Sequence, residues 1–338
     1  MQQAVRSVLA IDASPFGRSL GLIPAMRAMR AAYPRTYLVA AAATGTCQLL
    51  TAAGLVDDVV DLGIIKHADG RHAGALKRFV ALARRSRRYS FDLIMDFSPR
   101  LESQIVSRLL VRGRTLVPAR LPWGIELLLT FSDARPAAGR SHSEDYESVL
   151  RQAGVEAIDS EIRIVPSPED NQRFERLLVQ SGSRGGELLV LLYSSDPKSR
   201  RGWPVEALGE IGSRLANNFG ARVVVADEPS DRTFTAAVAR FVPEGSLKLA
   251  APQALELIAA IARASIVVTD DDAIARLASG VGTPVIEVSD ARSAPTTGSK
   301  SHRVMHGASR GSVSPDEVYE TASAMIQESR SPSLFDRA

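Results

Sequence analysis

The chain has 338 residues, 45% of them hydrophobic and 23% charged, with a net charge of +3 at pH 7. This suits a soluble globular protein of two α/β domains, and so small a basic excess is no nucleic-acid-binding tail, so no nucleic-acid partner is expected. A single cysteine, Cys47, excludes an intrachain disulfide and a Cys-based zinc site and fits a reducing cytoplasm. No apolar run approaches the roughly 20 residues that span a bilayer.

The amino terminus MQQAVRSVLAID has no signal-peptide core and reads as a first strand over Ser7 to Asp12. The loop 13–19 follows, then a helix from Leu20 to Ala32 that Tyr33-Pro34 stops, because proline cannot continue it. Thr36 to Ala42 reads as strand two, Thr46 to Ala53 as a helix, and GLVDDVVD at 54–61 carries a short strand. KRFVALARRSRRY, from Lys77 onward, suggests an amphipathic helix with a positive face. That face is either simply solvated or meets an anionic acceptor or membrane surface. Phe91 to Phe97 is a buried strand and Ser103 to Val111 a helix, while 113–141, rich in Pro, Gly and Arg, reads as a loop or lid. His142 opens a helix to Gln152, and 166–183 reads as a connecting helix and linker.

Leu188 to Tyr193 begins a second alternating series. Its members are a loop at 194–203, a helix at 205–219, a strand at Ala221 to Ala226, and helices near 230–241 and at 253–263. The stretch ASIVVTDDDAIARLASGVGTPVIEV at 264–288 then reads as strand, loop, helix, turn and strand, with Gly280 and Gly282 ending the helix. In open parallel sheets ligands sit beyond the carboxyl ends of strands, where helix N-termini point free N–H groups at anions. The loop 269–273 is therefore a candidate phosphate or nucleotide site; alternatively Asp272 only caps a structural helix. The expected division is an N-terminal domain at 1–170, a linker at 171–187, a second domain at 188–325 and a tail at 326–338.

Taken together, these pieces resemble glycosyltransferase family 9, the heptosyltransferases of the lipopolysaccharide inner core. Ser14-Pro15-Phe16-Gly17 and Leu22 to Arg27 look like the family's first loop and helix. Val56-Asp57-Asp58-Val59 looks like its V-D-x-V segment, and Phe91 to Asp96 like its Y-D-L-V-I-D strand. SSDPKSRRGWP at 194–204 sits where the family has a small-residue loop ending in K-x-W-P. Leu257 to Val288 follows the spacing of its donor signature, with Asp270-Asp271-Asp272-Ala273 and Arg276 in place of N-D-S/T-G-x-x-H.

The resemblance implies a GT-B fold, two Rossmann-like domains facing a cleft. It implies an acceptor on the N-terminal domain, a nucleotide sugar on the C-terminal one, and inverting, metal-independent transfer without a cofactor. Such chemistry needs a carboxylate to take the acceptor proton and positive charge or N–H dipoles for the leaving diphosphate. The family's base follows the glycine of the first loop; here that position is Arg18, which stays protonated. Asp12 stands where the family usually has a basic residue. One reading gives Asp12 the base role, with Arg18 meeting phosphate or acceptor charge. The other makes the two a structural ion pair and the base lost. On the acceptor side the candidates are Ser14, Gly17 and Arg100.

Donor candidates are Ser194, Ser195, Lys198 and Arg201 in the basic loop, Glu228 for ribose hydroxyls, and Asp271, Asp272, Ala273 and Arg276. Asp272 would repel a diphosphate at a cost of about 1–4 kcal/mol. Arg276, at i+4, would neutralise part of that repulsion or fill the site with a self-contained ion pair. His142 matches a family histidine before a helix or only caps it; the other histidines show no metal spacing.

The expected protein is a cytoplasmic glycosyltransferase, peripheral at the inner membrane face. Its donor is a nucleotide-diphosphate sugar, ADP-heptose by default, and its acceptor a lipid- or polysaccharide-linked glycan. Two alternatives remain: a non-catalytic relative that binds a glycan, nucleotide or partner protein, and a GT-B enzyme with a different nucleotide sugar.

Overall fold

The computed structural model describes residues 5–63, 91–98, 114–116, 142–155, 159, 161–194, 203–227, 233–250, 252–290 and 301–330. The chain divides into two compact units, Met1–Ile162 and Arg163–Ala338. The basic helix expected from Lys77 and the helix expected at 103–111 lie outside the described residues.

The first unit contains β1 (Ser7–Ile11), α1 (Phe16–Ser19), α2 (Leu22–Ala32), β2 (Tyr37–Ala42), α3 (Thr44–Ala52), β3 (Asp58–Asp61), β4 (Leu93–Asp96), β5 (Arg114–Leu116) and α4 (His142–Gln152). Its strands run in the order β3-β2-β1-β4-β5, all parallel. SVLAI and YLVAAA are near-continuous apolar runs because strands in the middle of such a sheet are covered on both faces. β5 corrects the expectation of a loop throughout 113–141: Arg114, Thr115 and Leu116 pair with Leu93, Ile94 and Met95. Three residues are too few to show a period.

The second unit contains α5 (Pro168–Gln180), β6 (Leu189–Tyr193), α6 (Val205–Phe219), β7 (Arg222–Ala226), α7 (Thr233–Val238), β8 (Leu247–Leu249), α8 (Ala254–Arg263), β9 (Ile266–Thr269), α9 (Asp272–Val281), β10 (Val285–Asp290), β11 (His302–Gly307) and α10 (Pro315–Arg330). Its sheet runs β11-β10-β9-β6-β7-β8, again all parallel. Counted from each unit's own first strand, the orders are 3-2-1-4-5 and 3-2-1-4-5-6. This is the doubly wound, Rossmann-like order, which reverses direction beside the first strand. The switch points lie between β1 and β4 and between β6 and β9.

Most of the expected linker belongs to α5. Ser167 caps that helix in a capping box with Asp170, and Arg263 Nε meets Glu175 Oε1 at 2.7 Å to tie it to α8. The expected tail begins inside α10, where Met325 and Ile326 are buried in the core. Strands β8 and β11 and helix α10 have no counterpart in the sequence reading. Gly280 does not end α9; the helix runs to Val281, and Gly282 stops it at φ 89°, a left-handed conformation that suits glycine.

Glu287 on β10 and His302 on β11 form a buried pair, with His302 Nε2 2.9 Å from Glu287 Oε2. Replacing Glu287 by alanine removes a hydrogen-bond partner from a desolvated imidazole. The expected loss is about 2–3 kcal/mol, read as a lower urea midpoint at unchanged slope.

Candidate active site

In the first unit, Asp12 follows β1 at the switch point. Its backbone N–H still extends the sheet, donating to Ala41 O at 2.8 Å. Its side chain is 1% exposed. Oδ1 accepts from Ser14 N–H at 2.8 Å, and Oδ2 accepts from the Tyr146 hydroxyl on α4. The neighbouring strand end is tied in as well: Ala13 N–H donates to Ser98 Oγ at 2.9 Å, and Ser98 N–H donates to Asp96 Oδ1 at 3.0 Å. Burial pushes the Asp12 carboxyl up from its ordinary value, against hydrogen bonds from Ser14 and Tyr146 and the charge of Arg18.

Arg18 lies exposed on α1. No ion pair joins it to Asp12 among the described residues, so that alternative is corrected: Asp12 gives its carboxylate oxygens to Ser14 and Tyr146 instead. Ser14 is buried and Gly17 half-buried. Arg100 lies outside the described residues, as does the side chain of His142.

In the second unit, the turn between β9 and α9 stands at the other switch point. Asp271, not Asp272, caps α9: its Oδ1 accepts from Ala273 N–H at 2.9 Å and Ile274 N–H at 3.0 Å. The sequence reading named Asp272 as the capping alternative; the cap falls one residue earlier, on the aspartate in extended conformation. Asp270 is buried, and its Oδ2 accepts from Trp203 N–H at 3.1 Å. Trp203 in turn donates its indole N–H to Val313 O at 3.1 Å. These bonds anchor the chain where the basic loop ends.

Asp272 is 61% exposed in its side chain, and Arg276 NH2 approaches its Oδ2 only to 3.8 Å. Arg276 is 22% exposed, and its Nε is buried with no hydrogen-bond partner. Ser194, at the carboxyl end of β6, is 1% exposed and its hydroxyl also lacks a partner. Ser289, near the end of β10, is buried with the same unmet hydroxyl. Buried polar groups left unpaired are uncommon; Arg222 Nε and Ser246 Oγ share the condition elsewhere in this unit, and what distinguishes Ser194, Arg276 and Ser289 is their place around the switch point. These three belong to the strands on either side of β9 and to the helix that follows it. Ala273 is buried where the family has glycine. Ser195, Lys198, Arg201 and Glu228 lie outside the described residues.

Sequence reasoning missed Tyr146, Ser98 and Ser289. Tyr146 is 134 positions from Asp12, and no local spacing signals such a contact.

The sequence over residues 79–325 matches the model of glycosyltransferase family 9 (heptosyltransferase). No curated protein matches the chain. The fold is similar to that of a glycosyl transferase family 9 protein from Veillonella parvula DSM 2008, with TM-score 0.78 at 15% identity, covering 97% of this chain and 99% of that one. It is similar to E. coli ADP-heptose lps heptosyltransferase II, with TM-score 0.71 at 16% identity over 96% and 100% of the two chains. A third likeness is to E. coli heptosyltransferase WaaC with ADP-2-deoxy-2-fluoro heptose, with TM-score 0.65 at 16% identity over 94% and 99%.

Proposed function

The chain belongs to glycosyltransferase family 9, and from that premise we propose that it transfers a sugar from a nucleotide-diphosphate donor, ADP-heptose by default, to a hydroxyl of a lipopolysaccharide-like or other glycan acceptor. The transfer inverts the anomeric centre in one displacement and needs no metal. The acceptor oxygen forms the new bond to the anomeric carbon as the bond to the diphosphate breaks. The acceptor proton passes to a carboxylate, and the nucleoside diphosphate leaves with the bond's electron pair.

The observation that carries this reading is the pair of unmet buried groups, Ser194 Oγ and Arg276 Nε, at the second unit's switch point. A diphosphate supplies the acceptor oxygens that both lack. Asp271 already occupies two N–H groups of α9, so the positive charge for the leaving group comes from Arg276 and, in this proposal, from Lys198 and Arg201. The donor reading also draws on the E. coli relative solved with ADP. Asp12 is the proposed base: its carboxyl is pushed up by burial, which makes it a stronger proton acceptor. Contact with the inner membrane face is part of the proposal; no helix among the described residues is long and apolar enough to cross a membrane.

A second reading is favoured by one observation, the enclosure of Asp12 at 1% exposure. In it the chain binds a nucleotide or glycan without turnover. Incubation with ADP-, UDP- and GDP-linked sugars and lipopolysaccharide core acceptors, following nucleoside diphosphate release in EDTA, separates the two. The proposal expects one donor to be consumed only when acceptor is present. Binding of a donor without consumption in any combination favours the second reading.

A further inference from the structure

Tyr146 on α4 reaches across to the loop after β1 and donates its hydroxyl to Asp12 Oδ2. The ring is held from two sides. It stacks on Phe97, centroids 4.7 Å apart and planes 18° from parallel. On another side it lies against Gly21, where a Cβ would sit 2.6 Å from its Cε2 and 2.8 Å from its Cζ. The ring fits only because residue 21 has no side chain. Tyr146 is 8% exposed, so this is a buried aromatic whose polar tip is spent on a carboxylate. A phenylalanine would fill the same space, and an apolar residue at position 12 would avoid the desolvation. Keeping both polar groups goes beyond what packing needs.

We infer that Tyr146 is the positioning residue for the Asp12 carboxylate in the proposed transfer, an inference that rests on Asp12 taking the acceptor proton. The phenolic O–H stays on Tyr146 throughout. It fixes the orientation of Oδ2 and stabilises the carboxylate's charge in a site with almost no solvent, while the acceptor proton ends on Asp12. Among the described side chains, the titratable and charged groups of the elements packed around Asp12 are Arg18 on α1, Asp96 at the end of β4, and Asp145, Tyr146, Glu147 and Arg151 on α4, where Arg151 donates to Glu147 at 2.7 Å. Of these, Tyr146 touches the Asp12 carboxylate and Arg18 acts on it by charge alone.

The test titrates the carboxyl resonances of the full chain labelled with 13C-aspartate, the Asp12 signal being assigned by its loss in Asp12→Asn. In Tyr146→Phe the Asp12 midpoint is expected to rise by about one pH unit, because a hydrogen bond to the charged form is gone. Gly21→Ala, which displaces the ring from another side, is expected to move it in the same direction. In turnover, the acid limb of kcat/KM in Tyr146→Phe moves up by a matching amount while donor KM stays put. An unmoved midpoint in both variants, with Asp12→Asn inactive, overturns the inference alone. Wild-type turnover by Asp12→Asn overturns the assignment of Asp12 as base, and with it the positioning role.

Discussion

Asp12→Asn is expected to lose about 10³-fold in kcat, the usual share of a general base, while melting several degrees higher than the native chain at pH 8. The two effects share one cause. Asp12 is buried, and its carboxyl is pushed up from the ordinary 3.8. Between that value and the native one, the folded state holds a proton that the unfolded chain has released. Stability therefore falls as pH rises through this window, and the whole cost stands above it. Asparagine is nearly isosteric and carries no charge. Its side-chain oxygen still accepts from Ser14 N–H, and its amide still faces the Tyr146 hydroxyl. The melting advantage should close as pH falls below 3.8, where both carboxyl states are protonated. Thermal unfolding of both proteins across pH 3 to 8, beside single-turnover rates, checks it. An equally active variant would remove Asp12 from the chemistry, and one destabilised at every pH would contradict the burial cost assigned to its carboxyl.

Arg276→Met is expected to raise donor KM about 10–100-fold, the value of a charge-assisted bond to phosphate, with a smaller fall in kcat. Methionine keeps the apolar stem and deletes the guanidinium. Asp272→Ser is expected to act in the opposite direction, tightening donor binding about fivefold, because a half-exposed carboxylate at the start of α9 repels the diphosphate. At 3.8 Å, the Asp272–Arg276 contact is too long to satisfy the guanidinium, so the arginine is not committed to its neighbour. In the double variant Arg276→Met/Asp272→Ser, the two effects on donor affinity add if the residues act independently and depart from additivity if both act on the same phosphate, and the second is expected. Initial rates against donor concentration for the three variants test this.

The fold was legible because buried parallel strands are written as short β-branched runs. Helix α6 was found at its full length because Pro204 precedes it and Gly220 ends it at φ 64°. Strand β11, HRVMHG, was missed because its charged and polar residues break the apolar run that marks a buried strand. The candidate sites were legible in part: position relative to strand ends picked out the α9 turn, and the family resemblance picked out Asp12 and Ser194. Partnership was not legible. The sequence offered Arg18 as the neighbour of Asp12, six residues on, whereas folding brings Tyr146 from α4. It pointed to Asp272 as the carboxylate over the helix N-terminus, whereas Asp271 takes that place and leaves Asp272 facing solvent. Charge alone decides neither case; backbone direction does.

In the proposed reaction the second unit binds a nucleotide-diphosphate donor. Calorimetric titration of the purified chain with ADP, UDP, GDP, CMP and ADP-heptose tests it most directly. Micromolar binding of one nucleotide and its sugar conjugate is expected, weakened about tenfold or more in Arg276→Met. If none binds, or if Arg276→Met binds as tightly as the native chain, the unmet groups at Ser194 and Arg276 do not form a diphosphate site.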